Sequence, residues 1–346
     1  MRYGTIPKGL KERLAAVLGV VPYPMLDILI APLQARALIA AERMSVFRAL
    51  GEKPATTPEL AKRLALDESC LDLVLRLLAS MGYVRRRAGE WSLSRLGRKH
   101  FGTAAPNPLG DFVAFGAPQW EWISRLDDVL KTGKGVEIHR SLNRPDWSLY
   151  QRAMAEGARG FAAFVAKELP VTPGARLCLD VAGSHGLVGA ALCHAHPGLR
   201  SVVLEGAEAL PEARKLAAEA GITDVVSFRE CDLLKDEYGE SADVVVLANI
   251  LHHFTPEVNR QILGRAKRAL KRGGSIGIFD IEAPRPEAAP EAAGDAAALF
   301  FRITSNSACF TGDDYKAWLD QAGFSRPRAV RTIRLPSRLL VVARVL

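Results

Sequence analysis

The chain has 346 residues, of which 49% are apolar and 24% are charged. This is the composition of a soluble globular protein, and the length predicts more than one domain. We find no apolar stretch long enough to cross a membrane, so we expect a cytoplasmic protein. The five cysteines are scattered, which fits a reducing compartment and argues against a disulfide framework or a metal site.

The formal net charge of +8 is unevenly distributed. Residues 1–105 carry 17 Lys and Arg against nine Asp and Glu, whereas the remaining residues carry 29 of each. The basic character therefore belongs to the N-terminal part, where an acidic partner such as DNA has to be considered.

Residues 1–105 are predicted to form a helical domain that ends in a winged helix. Thr57, as N-cap, and Pro58 indicate a helix start, and Asp67 indicates the N-cap of the next helix. Two short extended runs follow at 83–85 and 91–93. Helix, turn, helix and hairpin in this order are typical of a winged helix.

A winged helix has two interpretations, a DNA reader or a dimerisation domain. The helix that would enter the major groove begins with Asp67 and Glu68 and has Arg76 as its one basic residue. Helices that read bases usually present Arg, Lys, Asn or Gln. We therefore favour a homodimerisation domain and expect no nucleic-acid partner.

Residues 106–170 are predicted to be a helical connector that lines an apolar substrate pocket. The region is rich in aromatic residues, most of which should be buried. Phe115 and Met154 are our candidates for the pocket wall.

Residues 171–346 are predicted to form a Rossmann-like domain with a mostly parallel, doubly wound sheet. The first strand, 176–180, ends on Asp180 and is followed by four small residues and a helix. The small residues are Ala182, Gly183, Ser184 and Gly186. An acid before the loop suits a cationic amino group better than a pyrophosphate, and Glu205 ends the next strand, where an acid grips ribose. The pattern favours S-adenosylmethionine (SAM) over NAD.

Further polar residues follow the ends of the later strands. Strand 225–228 leads to Asp232, a candidate acceptor for the adenine amino group, strand 243–249 leads to His252, and strand 275–280 ends on Asp280. Ligands bind beyond the carboxyl ends of such strands. Leu233 and Asn249, beside two of these ends, complete the predicted cofactor site. No acid and histidine cluster has metal-ligand spacing, so we expect no metal.

Four motifs resemble the plant-type O-methyltransferase family, in its bacterial branch. LDVAGSHG resembles the family's LDVGGGxG, ECDLL its GDMF, LHHFTPE its HDWSDE, and YQRAM its F-x-x-A-M. The resemblance implies a class I methyltransferase fold behind a winged-helix dimerisation domain. It also implies SAM as cofactor, His252 as catalytic base, Asp280 as a carboxylate that orients it, and Met154 in the pocket. We expect an aromatic or polyketide-like hydroxyl acceptor.

The sequence also departs from the family pattern. Ala182 and Ser184 replace two loop glycines, and Ala248 replaces a lysine. Cys309 stands where the family has its second orienting carboxylate, for which Glu282 is a candidate substitute. These departures leave three alternatives: a C-methyltransferase, a SAM-binding relative that does not methylate, and a winged-helix regulator that senses a metabolite.

The base is predicted to be one of two adjacent histidines. His252 would take the acceptor's proton, because its ordinary pKa is near that of a neutral-pH base. On an α-helix His252 and His253 would point about 100° apart, so we expect only one of them to act and His253 to line the substrate pocket.

Overall fold

The computed structural model describes residues 9–138, 142, 144–285, 287–305 and 307–346. The chain divides into two compact units, Met1–Ala117 and Pro118–Leu346. The finer division at residues 105 and 170 stays a prediction.

The first unit is mainly helical and carries one hairpin. Its elements are α1 (Leu10–Val17), α2 (Tyr23–Arg43), α3 (Val46–Glu52), α4 (Thr57–Leu64), α5 (Glu68–Ser80), β1 (Val84–Arg87), β2 (Glu90–Leu93), α6 (Arg95–His100) and α7 (Gly110–Ala114). The order α4, α5 and the antiparallel β1–β2 hairpin is that of the predicted winged helix.

The cap of α4 differs from the prediction by one residue. Thr56, not Thr57, is the N-cap, and it forms a capping box with Glu59. The Thr57 hydroxyl instead accepts a hydrogen bond from the buried Trp91 indole at 3.0 Å and donates to Asp72. The side chain of Thr57, which the local sequence predicted as the cap, thus forms a tertiary contact with the wing instead. Asp67 caps α5 as predicted, accepting from the Cys70 N–H.

Helix α2 contradicts one expectation from the sequence. Its 21 residues are long and apolar enough to cross a membrane by length and composition alone. The sequence shows no unbroken apolar run here, because Asp27 and Arg36 interrupt it. The mean hydropathy of the helix is nevertheless high enough for a membrane span.

The second unit is an α/β fold that begins with helices. They are α8 (Gly116–Ile123), which starts at the boundary, α9 (Leu126–Thr132), α10 (Arg144–Arg159) and α11 (Ala162–Glu168). Then follow β3 (Leu177–Val181), α12 (Leu187–Ala195), β4 (Arg200–Glu205), α13 (Leu210–Glu219), β5 (Val226–Glu230), β6 (Ala242–Ala248), a 3₁₀ turn (Leu251–His253), α14 (Pro256–Ala269), β7 (Leu270–Ile281), α15 (Ala292–Thr304), α16 (Gly312–Gln321), β8 (Ser325–Val330) and β9 (Arg338–Arg344).

The strands form one seven-stranded sheet in the order β5-β4-β3-β6-β7-β9-β8. The pairs from β5 to β7 are parallel, and β9 is antiparallel to β7 and β8. The strand β7 starts at Leu270 rather than 275, because Leu270 pairs with Ala242 beyond an irregularity in the register. The mostly parallel, doubly wound sheet is therefore confirmed.

Alternate residues of the central strands pack into different cores. Val244 and Val246 of β6 belong to one buried cluster, whereas Val245 and Leu247 belong to another. Side chains alternate across a strand, so these two clusters cover the two faces of the sheet. Burial on both faces leaves the strand ends as the place for polar chemistry, and β3, β4, β5, β6 and β7 all end at the same edge.

Candidate active site

A cavity of about 600 Å³ opens at this edge of the sheet. Most of the residues predicted to bind cofactor line it: Asp180, Ala182, Gly183, Ser184, Glu205, Asp232, Leu233 and Asn249. Met154, predicted for the substrate pocket, lines it too. The structure thus brings together side chains that are up to about 100 residues apart in the sequence.

Five predicted site residues are not among the described residues that line this cavity: Gly186, Phe115, His253 and the predicted catalytic pair His252 and Asp280. Gly186 is the N-cap of α12 with φ of 73°, and a Cβ there would come within 2.8 Å of Val226 Cγ1, so its role is in packing. Phe115 is buried within the first unit. His253 is half-buried beside His252 and is not among the described residues that line this cavity.

Asp180 is a buried carboxylate with one oxygen left over. Its Oδ2 accepts from the Gly189 N–H at 2.9 Å, and its Oδ1 has no hydrogen-bond partner among the described residues. Burial, with a smaller contribution from the charge of Glu205, raises the pKa of Asp180 to about 7. An unpartnered carboxylate oxygen in a cavity wall fits a ligand that carries an ammonium group, as SAM does.

Glu205 is held in a fixed orientation by the backbone around it. Its Oε2 accepts from the Ser184 N–H at 3.0 Å, and its Oε1 accepts from the Gly206 N–H at 2.9 Å. Each oxygen keeps a lone pair for a hydroxyl donor, as the two hydroxyls of a ribose require. Burial raises the pKa of Glu205.

The small-residue loop has a conformation that normally belongs to glycine. Ala182 and Ser184 have φ of 54° and 45°, in the left-handed region. This explains why the family motif has glycine at both positions, and it means that this chain accepts some backbone strain there. Gln151, a buried residue that sequence reasoning missed, donates to Ser184 Oγ at 3.2 Å and to the Ala209 carbonyl at 3.1 Å. No local pattern marks Gln151, because it reaches the loop from α10.

Asp232 lies at the cavity beyond β5. Its Oδ1 accepts from the Leu234 N–H at 3.0 Å, and its Oδ2 accepts from Lys235 Nζ at 2.9 Å. The hydrogen bond with Lys235 holds the pKa of Asp232 below its ordinary value. An ionised acceptor at this place is compatible with the predicted contact to an adenine amino group.

The predicted base and its carboxylate are in direct contact. His252 lies in the 3₁₀ turn after β6, and its Nδ1 is hydrogen-bonded to Asp280 Oδ1 on the neighbouring β7. Both side chains are buried. A carboxylate at Nδ1 fixes the ring and leaves Nε2 as the basic nitrogen.

The two histidines do not point apart as predicted. Their rings lie at a centroid distance of 4.2 Å, with His252 Nε2 at 3.1 Å from His253 Nε2. Phe301 of α15 covers His252 at a centroid distance of 3.9 Å. The prediction failed because it considered only the directions in which the two side chains leave the backbone, whereas both rings turn towards each other beyond that point.

The sequence did not predict which group supports Asp280 in the absence of a second family carboxylate. Arg331 binds the carboxylate of Glu282, so the candidate substitute is engaged elsewhere. Burial raises the pKa of Cys309 to about 12, so its thiol stays neutral. Instead, the Tyr315 hydroxyl donates to Asp280 Oδ2 at 3.1 Å. A tyrosine in the first turns of a helix gives no sequence signal for such a contact.

In the part of the chain that the structure describes, no group of three or more His, Cys, Asp or Glu could hold a metal ion. The polar groups at the cavity are instead arranged for an organic ligand.

The family model for the O-methyltransferase domain matches residues 135–325. The chain belongs to this O-methyltransferase family. It is accordingly a SAM-dependent methyltransferase, and the predicted family, fold class and cofactor are confirmed. Membership favours the enzyme over the DNA-binding regulator and over the relative without methyl transfer.

This O-methyltransferase is similar to bacterial biosynthetic enzymes over most of its length. It is 26% identical to 3-hydroxy-5-methyl-1-naphthoate 3-O-methyltransferase of Streptomyces sahachiroi, covering 86% of this chain and 87% of the relative. It is 25% identical to L-tyrosine C(3)-methyltransferase of Streptomyces lavendulae, over 86% of this chain and 85% of that one. Its fold is that of human N-acetylserotonin methyltransferase, solved with SAM, at a TM-score of 0.81, 18% identity and 98% coverage of both chains.

Replacement of Gly183 by alanine should abolish tight SAM binding. A Cβ at this position would lie within 2.7 Å of Asp180 Oδ2, so the loop has to shift. We expect the affinity measured by calorimetry to fall by about tenfold or more. Gly264→Ala in α14, where a Cβ would meet only the end of Arg268 at 3.7 Å, is the matched control and should bind normally. Unchanged affinity in Gly183→Ala would contradict the loop's role.

Asp180→Asn should remove a pH dependence from both stability and SAM binding. The folded-state pKa of about 7 lies above the ordinary value of 3.8, so in the unliganded protein stability is fully present below about pH 4 and is lost as the pH rises towards 7. An ammonium ligand favours the ionised form, so SAM affinity should rise between about pH 5.5 and 7. Thermal unfolding and calorimetry across this range should give flat profiles for Asp180→Asn, and wild-type affinity in this variant would exclude the contact.

Proposed function

We propose that the enzyme transfers a methyl group to the hydroxyl of an aromatic or polyketide-like acceptor, with His252 as general base. The observation that carries the proposal is the buried His252–Asp280 pair on the turn that follows β6, whose carboxyl end borders the cavity. The naphthoate O-methyltransferase of S. sahachiroi supports the acceptor class. The apolar residues Trp147, Met154 and Phe161 in the cavity wall fit a flat aromatic molecule.

SAM, when bound, supplies an electrophilic methyl group on a sulfonium. Asp180 would hold its ammonium group and Glu205 its ribose hydroxyls, each through the lone pairs described above. Asp232 would accept from its adenine amino group. With SAM held by these three contacts, the cavity walls would orient its methyl group towards the acceptor.

His252 would take the proton that makes the acceptor a nucleophile. With Nδ1–H donated to Asp280, the lone pair of neutral His252 lies on Nε2, where His253 Nε2 now lies at 3.1 Å. For the acceptor hydroxyl to take this place, the ring of His253 would have to move aside, because His252 is buried and does not itself line the cavity. Nε2 would accept the proton of the acceptor's O–H bond as the oxygen becomes the nucleophile. The methyl group that SAM supplies would then form the new O–C bond as its bond to sulfur breaks, and S-adenosylhomocysteine would leave. Asp280 then stabilises the imidazolium.

His252→Ala should abolish turnover and leave SAM binding nearly intact, because the imidazole acts on the acceptor rather than on the cofactor. General-base removal typically costs about 10² to 10⁴ in rate. The assay measures S-adenosylhomocysteine release with a panel of hydroxylated naphthoates and anthraquinones, and calorimetry measures SAM binding. His194→Ala, at an exposed site on α12, is the matched control.

Turnover of His252→Ala at the wild-type rate would exclude the base role. The chemical structure of the product distinguishes O-methylation from C-methylation, the remaining alternative. O-methylation gives a methyl ether, whereas C-methylation gives a new ring carbon–carbon bond. Because the chain is also similar to a tyrosine C-methyltransferase, the methylated product has to be identified and not only its rate of formation.

We further propose a homodimer formed through the first unit, in keeping with a soluble biosynthetic enzyme of the cytoplasm. Helix α2 exposes Met25, Ile28, Leu29 and Leu33, each between 53% and 77% accessible and all on one helical face. Helix α1 adds exposed Leu10, Leu14 and Val17. Contiguous apolar surface of this kind typically marks a protein or membrane contact, and the family resemblance favours a second copy of the chain.

The double variant Ile28→Lys/Leu29→Lys should therefore sediment as a monomer, whereas the wild type should sediment as a dimer. Two charges in an apolar contact lose their hydration, which opposes association. Leu73→Lys, at an equally exposed leucine of α5, is the control and should remain dimeric. A monomeric wild type that binds lipid vesicles would favour the membrane instead.

A further inference from the structure

The carboxylate of Asp280 has to be stabilised entirely by protein groups. Asp280 is 1% exposed, and in the sequence Cys309 stands where the family has a second acid. Its Oδ1 bonds to His252 Nδ1 and accepts from the Ile281 N–H at 2.8 Å. Its Oδ2 accepts from Tyr315 at 3.1 Å, the one donor to that oxygen among the described residues.

Tyr315 is fixed for this contact. It is fully buried in the first turns of α16, next to the capping box of Thr311 and Asp314. Its ring packs edge-on against Trp318 and Phe310, at centroid distances of 5.6 and 6.1 Å. Burial, with the negative charge of Asp280, raises the pKa of Tyr315 well above its ordinary range, so the hydroxyl stays protonated and donates.

We infer that Tyr315 is a positioning residue for the base: its hydroxyl holds Asp280 ionised and oriented, and thereby keeps His252 neutral and able to accept a proton. This rests on the proposed role of His252. Tyr315 would help to orient the base, as a second carboxylate does in the family, without adding a second buried charge.

The direction of the effect follows from the charges of the two protonation states. When His252 is neutral, the pair with Asp280 carries a net negative charge, and when His252 is protonated the pair is neutral. A hydrogen bond from Tyr315 stabilises the negative state more, since its dipole acts on the uncompensated carboxylate. Removing the hydroxyl should therefore raise the pKa of His252, so that the base is protonated up to a higher pH.

The other groups around the pair are unchanged by that removal. His253 contacts Nε2 of His252, and the Arg338 guanidinium and the neutral Cys309 thiol act electrostatically on Asp280. Phe301 of α15 contributes an apolar ring. A shift of the His252 titration in a Tyr315 variant consequently reports the lost hydroxyl.

The test is an NMR titration of the histidine side chains in the full chain, isotopically labelled at its seven histidines. The signal that disappears in His252→Gln identifies the residue. Tyr315→Phe, which keeps the packed ring, should raise the pKa of His252 by about one unit. Tyr238→Phe is the matched control, because Tyr238 is also fully buried but donates to the Leu233 carbonyl at 2.9 Å. Tyr238→Phe should leave the pH titration of the His252 signal unchanged.

A double-mutant comparison separates positioning from general damage. In an Asp280→Asn background there is no charge to stabilise, so Tyr315→Phe should cause no further shift. Where Tyr315→Phe is too unstable, replacement of the tyrosines by 3-fluorotyrosine, a stronger donor, should lower the pKa of His252.

An unchanged or lowered pKa of His252 in folded Tyr315→Phe would overturn the inference, as would the same shift in Tyr238→Phe. The titration needs neither acceptor nor turnover. Its failure is therefore distinct from failure of the proposed function, which the turnover of His252→Ala decides.

Discussion

The parallel strands of this sheet are buried on both faces, and the carboxylates at their ends consequently lose water. Asp180, Glu205 and Asp280 are all buried or nearly so, and an ionised carboxylate in such a place needs donors from the protein or from a ligand. The three carboxylates differ in the hydrogen-bond donors that the protein gives them. Glu205 is bonded at both oxygens, Asp280 has three donors, and Asp180 keeps one oxygen for the cofactor.

Because their hydrogen bonding differs, these carboxylates suit different roles at one edge of the sheet. The incompletely satisfied carboxylate, Asp180, lies in the cavity wall, where binding of a cation relieves its desolvation. The fully satisfied one, Asp280, is hydrogen-bonded to His252, which is the arrangement that the proposed base requires. A strained loop also borders the cavity, since Ala182 and Ser184 hold left-handed backbone conformations there.

Part of the site was predictable because it is encoded locally. The strand ends, the small-residue loop and the motif around His252 each occupy a few consecutive residues, so pattern and spacing found them. Gln151 and Tyr315 were missed because each reaches the site from a helix distant in sequence. Gln151 stands at an unspecified position of the YQRAM motif, and Tyr315 lies in no motif. Glu282 was a reasonable substitute by proximity in sequence, but Arg331, from the loop after β8, binds its carboxylate.

The sequence by itself determined the class of fold and favoured the cofactor, because buried strands with polar ends and a loop of small residues follow from side-chain periodicity and size. The family came from the resemblance of its motifs. Only the tertiary structure decided how the base is held. The contact between the rings of His252 and His253 depends on how both side chains pack, and the support of Asp280 depends on where α16 packs. Such contacts join residues through space, and the free energy that selects them comes from packing rather than from local propensity.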